Sequence, residues 1–77
     1  MEKSKVSGKE IQKRIHLKVN AILSLDSVDL ITALALKSQR VKEQVTFFRK
    51  VGDKNRVNYE MRQFLKWLEM VESENNI

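Results

Sequence analysis

Leu30, Leu34, Val41, Val45 and Phe48 return at spacings of four, seven, four and three residues through a stretch that holds neither proline nor glycine. At about 100° per residue these positions share one side of an α-helix, whereas a strand would need alternation at every second residue. The phase is kept across "LALKSQRVKEQ", so a helix that begins before Leu30 continues past Phe48. The whole chain has no proline and only two glycines, Gly8 and Gly52. Its fold is therefore decided by where its helices stop.

Stop and start signals divide the chain into three helices. "SGKE", Ser7 to Glu10, has the form of a capping box, in which the Ser7 hydroxyl accepts from the Glu10 amide and the Glu10 carboxylate accepts from the Ser7 amide. The first helix is predicted over about 8–24, with Ile11, Ile15, Val19, Ile22 and Leu23 as its core stripe. Asp26 or Ser27 caps a second helix over about 27–51; Asp29 suits its positive end, and Arg49 and Lys50 suit its negative end. Gly52 supplies the left-handed residue that ends it. Asp53 or Asn55 opens a third helix over about 55–73, whose apolar face is Val57, Met61, Phe64, Leu65, Leu68 and Val71. The polar tail, 73–77, is expected to fray. The fold class is all-α: a compact three-helix bundle over a single domain, 1–77, with a long central helix and scope for completion by self-association.

The stretch "FFRKVGDKNR", Phe47 to Arg56, gathers four basic residues and two aromatics around Gly52. Each feature has a helix-boundary explanation, so the stretch is expected to act mainly as a hinge, with Phe48 on the core side. A break at "KSQ" would instead give a helix-turn-helix presenting Arg40, Lys42, Glu43 and Gln44. That turn lacks a glycine, and Leu34, Ser38, Val41, Val45 and Phe48 keep one phase through it, which favours a continuous helix.

With 77 residues, the chain buries only roughly 60% of the surface its unfolded form exposes, and its core must be thin. It has no cysteine, hence no disulfide framework or thiolate metal cage. The longest apolar run, "ALAL" from Ala33 to Leu36, falls far short of the ~20 residues that span a bilayer. Lys9, Lys13, Arg14 and Lys18 interrupt every candidate signal segment. These features imply a cytoplasmic protein with no membrane span.

The net charge of +5 is unevenly spread. Residues 1–18 carry six basic and two acidic side chains, residues 37–56 seven and two, and residues 57–77 two and four. Such a field attracts phosphate backbones, anionic membrane surfaces or acidic protein partners alike and does not choose among them. Lys42, Arg49, Lys50, Lys54 and Arg56 are the candidate nucleic-acid contacts, although a solvated basic face is commoner and Glu43 dilutes the field.

Ala33, Leu36, Phe47 and Val51, with Arg40 among them, form a second stripe roughly 120° around the same helix from the stripe of Leu30 and Phe48. Either two neighbours cover both stripes, or one is left for another chain. On the third helix, Tyr59 and Met70 point away from the core and Trp67 lies at its margin. Together these residues make the candidate protein interface.

Chemistry finds little support. His16 has no cysteine to activate and no second histidine with which to hold a metal. The pairs Asp26 with Asp29 and Glu69 with Glu72 share helical faces but sit where solvated carboxylates are expected. No glycine-rich phosphate loop is present. The sequence therefore points to a non-catalytic helical binding module of regulatory or adaptor type. Its expected partner is itself or a larger protein, and it is expected to need no cofactor, metal or small-molecule substrate. A basic nucleic-acid-binding protein is the alternative.

Overall fold

Capping residues end the helices close to the predicted points. Ser27 has extended backbone, and its hydroxyl oxygen accepts from the Leu30 amide at 3.4 Å, opening α2 (Val28–Lys50). An Asp53 carboxylate oxygen accepts from the Arg56 amide at 3.0 Å and opens α3 (Lys54–Glu74). Between them Gly52 stands at φ 75°. Its amide donates to the Arg49 carbonyl at 3.1 Å and the Asp53 amide to the Phe48 carbonyl at 2.9 Å. This is the paired closure of a Schellman motif. The computed structural model describes residues 8–75, and the first helix, α1, spans Gly8–Leu23. The proposed capping box involves Ser7 and so lies outside the described residues.

The α1–α2 connection uses aspartate where glycine is usual. Asp26 has φ 56°, a left-handed conformation that its short polar side chain tolerates better than most. Its amide donates to the Leu23 carbonyl at 3.2 Å. Asp26 thus helps to close α1, and the N-cap of α2 falls to Ser27. At the other end of the chain, α3 continues to Glu74, one residue beyond the bound of about 73 read from sequence. Ser73 and Glu74 belong to α3, and the Asn75 side-chain amide donates to the Val71 carbonyl at 2.8 Å.

The three helices pack as a bundle in which α3 touches both others closely while α1 and α2 meet much less. Ile22, Leu34, Phe64, Leu68 and Val71 form one buried cluster, and Ile11, Val45, Met61 and Leu65 a second. Ile15 and Val41 pack against both and join them. Principal extents of 36 × 31 × 15 Å make the body a plate, about two helices thick when axes pack 8–10 Å apart. The longest helix, α2, is central in sequence, but α3 is central in space.

Two expectations need correction. Leu23 was placed on the core stripe of α1 but is 43% exposed, because a step of about 100° carries it past Ile22 and beyond the reach of α3. Glu72 is not a solvated carboxylate: Lys18 Nζ lies 2.8 Å from its Oε1, pinning α1 to α3 at a partly buried site.

α2 runs unbroken through Lys37, Ser38 and Gln39. Ser38→Pro is expected to remove an internal hydrogen bond and cost ~3 kcal/mol or more, a large share of the stability of so small a domain; a chemical-denaturation midpoint equal to wild type would contradict this. A Cβ at Gly52 would meet nothing within 4 Å, so the penalty for Gly52→Val is purely conformational. We expect a loss of at least about 1 kcal/mol, with Gly52→Asn losing less; equal melting curves for the two variants would refute it.

Candidate functional site

α2 buries Leu34 and Val45 and half-buries Leu30, Val41 and Phe48 against its neighbours. The stripe of Ala33, Leu36, Arg40, Phe47 and Val51 lies on its other side and is exposed throughout. Leu36 is 66%, Phe47 57% and Val51 60% exposed. Neither α1 nor α3 covers them, so of the two arrangements open to the sequence, the one that leaves a stripe uncovered is the one formed.

That stripe is not flat. Ala33, Leu36, Lys37 and Arg40 bound a notch of about 460 Å³ whose far wall is Trp67 of α3. Trp67 is half-buried, stacked on Phe64 with ring centroids 6.3 Å apart and planes inclined by 23°. The Lys37 ammonium lies 5.9 Å from the centre of the indole. The indole is therefore fixed in place by packing on one side and a cation on another. Toward the other end of the stripe, Phe47 meets Phe48 edge to face at 5.2 Å.

Of the eight residues in the candidate interface, the structure gathers Ala33, Leu36, Arg40 and Trp67 around the notch. Phe47 and Val51 continue the same face of α2 toward its C-terminus. Tyr59 and Met70 are each half exposed on α3 and do not line the notch. Tyr59 is tied to α2 indirectly, since the Arg56 guanidinium lies 5.2 Å from the Phe48 ring centre and 5.3 Å from that of Tyr59.

The candidate phosphate contacts separate. Lys42 and Arg49 line a groove of about 640 Å³ between α1 and α2, with Met61 and Phe64 of α3 beneath it. Lys54 sits with Arg49 at a smaller hollow around Gly52 and Val57. Lys50 points roughly 100° away from Arg49 around α2. Arg56 is occupied by its two aromatic rings and by Glu60, 4.0 Å away. The groove instead recruits Lys9, Lys13 and His16 from α1. Lys9 and Lys13 were not among the candidate nucleic-acid contacts, and His16 was weighed only for catalysis or metal binding, although the six basic residues within 1–18 were the signal that could have found them. Glu10 also lines the groove, and Arg14 approaches it to 4.0 Å.

The groove exists because α1 and α2 diverge over a floor supplied by α3. Four cations around an apolar floor suit an extended anion, but no convergent set of buried polar groups marks a small-molecule site. Among the described residues no cluster of histidine, cysteine or carboxylate side chains could hold a metal ion, and no helix is long and apolar enough to cross a membrane. The chain matches no known family model, no curated protein and no solved structure.

If the groove attracts polyanions, Lys9, Lys13, Lys42 and Arg49 carry the effect. Replacing all four with Gln is expected to flatten the dependence of log K for duplex DNA on log salt by up to about four released counterions, while Lys50→Gln changes it by one at most. Fluorescence anisotropy across a salt series checks this; equal slopes for the wild type and the fourfold variant would remove the groove from consideration.

Proposed function

We propose that the protein is a non-catalytic helical interaction module that docks another polypeptide on the outer face of α2. The observation behind this reading is the joint exposure of Leu36, Phe47 and Val51 along one side of a helix whose opposite side already completes the core. Leaving large apolar side chains this exposed on a small protein forgoes much of the about 1.5–3 kcal/mol that full burial of each would contribute. Isolated exposed residues such as Leu17 on α1 are ordinary. A row of apolar side chains interrupted by Arg40, beside a preformed notch and a packed indole, is what protein interfaces use as their centre. The rim is also suitable, because Lys37, Arg40 and Glu43 can form polar contacts around an apolar middle.

A second reading, electrostatic binding of nucleic acid, draws on a different observation: the groove gathers Lys9, Lys13, Lys42 and Arg49. It ranks below the first because cationic side chains on flexible stems give sequence-independent attraction and no fixed complementarity.

A photoreactive phenylalanine analogue at position 36, with position 20 as an exposed control on α1, tests the docking reading in cells. Illumination is expected to give a discrete protein adduct from position 36 and none from position 20, identified by mass spectrometry. No adduct at position 36, or the same adducts from both positions, would overturn it.

A further inference from the structure

The outer face of α2 also carries information about what covers it; the inference rests on the docking reading above and names the occupant. Ala33, Leu36, Lys37 and Arg40 stand at i, i+3, i+4 and i+7, the four-residue hole that accepts one side chain of a facing helix in coiled-coil packing. The hole has a volume of about 460 Å³, and Trp67 of α3 forms its far wall. The same face of α2 presents one aromatic of its own, Phe47. If a second α2 runs antiparallel and seats its Phe47 over the middle of the hole, the two-fold axis passes beside the Val41–Lys42 peptide.

Charge gives the same axis independently. Arg40 and Glu43 both lie on this face and are exposed, and among the described residues neither takes part in an ion pair within 4.0 Å. About the axis set by Phe47, each Arg40 falls opposite the partner's Glu43. Ala33 falls opposite the partner's Lys50, whose methylene stem can lie over the small residue while its ammonium stays in water. The seam residues Ala33, Leu36, Arg40, Glu43, Phe47 and Lys50 alternate in steps of three and four, the spacing that keeps a contact line between two helices. A parallel pair would set Arg40 against Arg40 and Glu43 against Glu43, and would leave the hole without its aromatic.

We propose that the occupant is a second copy of this chain, bound antiparallel through α2, with each Phe47 in the partner's hole and each Arg40 paired with the partner's Glu43. The interface is isologous, so every contact forms twice and the assembly closes as a dimer.

The chain suits a direct test, because it has no cysteine and a single tryptophan. Sedimentation equilibrium is expected to give twice the chain mass of 9.1 kDa. Arg40→Glu and Glu43→Arg are each expected to weaken association by about tenfold or more, and the two together to restore it to within about threefold of wild type. Mixed Arg40→Cys and Glu43→Cys chains should form a disulfide with each other faster than either chain forms one with itself. Trp67 emission should shift to the blue on association, and Phe47→Ala should abolish both the shift and the dimer with its helical circular dichroism unchanged. A wild-type chain of monomer mass at every concentration, self-linking by the single cysteines ahead of cross-linking, or a charge-exchanged double variant that stays monomeric would each overturn the proposal. A monomer whose position 36 still captures a different protein sinks the dimer and leaves the docking reading standing, whereas a monomer that captures nothing sinks both.

Discussion

The burial of Leu68 and Ile22, both wholly removed from solvent, marks the contact on which the other packing depends. Among the described residues nine apolar side chains are buried, five on α3 and two on each of the other helices, so α3 is the surface on which α1 and α2 are each laid. Its arc is broad enough for both: Val71 and Phe64 serve the cluster that includes Leu34, and Met61 and Leu65 serve the one that includes Val45. The Lys18–Glu72 contact adds a polar fastening to the α1 side at 2.8 Å. Partly buried and well formed, it fixes how α1 sits more than how firmly the whole domain holds, since ion pairs near solvent are weak sources of stability.

A hub of this kind leaves the two outer helices half used. α1 and α2 each meet α3 along one stripe and lean little on each other, so they spread apart over Met61 and Phe64 and form the basic groove between them. On α2 the contact with α3 is satisfied by Leu30, Leu34, Val41 and Phe48, and the second stripe receives no partner from within the chain. The groove and the apolar face thus have one origin. Both follow from two helices, α1 and α2, laid on α3 in a plate 15 Å thick.

The helices and their core faces could be read from the sequence because periodicity and capping are local. Ser27, Gly52 and Asp53 each do what their residue type favours, and Leu34 and Val45 are buried where the helical phase put them. What could not be read required knowing which helices meet. Leu23 shares the apolar character of its stripe, and only the reach of α3 shows it to be exposed. Glu72 looks like any carboxylate of a polar last turn until Lys18, remote in sequence, is set beside it. The second stripe on α2 was visible as a pattern, but the notch depends on Trp67 arriving from another helix. The basic candidates are divided between separate places, because charge clustered in sequence does not imply charge clustered in space. Arg56 is stacked on aromatics instead of joining Lys42 and Arg49.

The position of the hub in the chain governs how the protein comes into being. α1 and α2 precede α3, so during synthesis both amphipathic helices leave the ribosome before the surface that covers them exists. Marginal helices of this length hold their shape mainly through tertiary packing, and for that interval their apolar stripes stand open to any other hydrophobic surface. Folding must therefore wait for α3 and then proceed as one event, with no stable half-folded domain before it. A chain made in this order leaves its apolar stripes uncovered longest while it is still nascent.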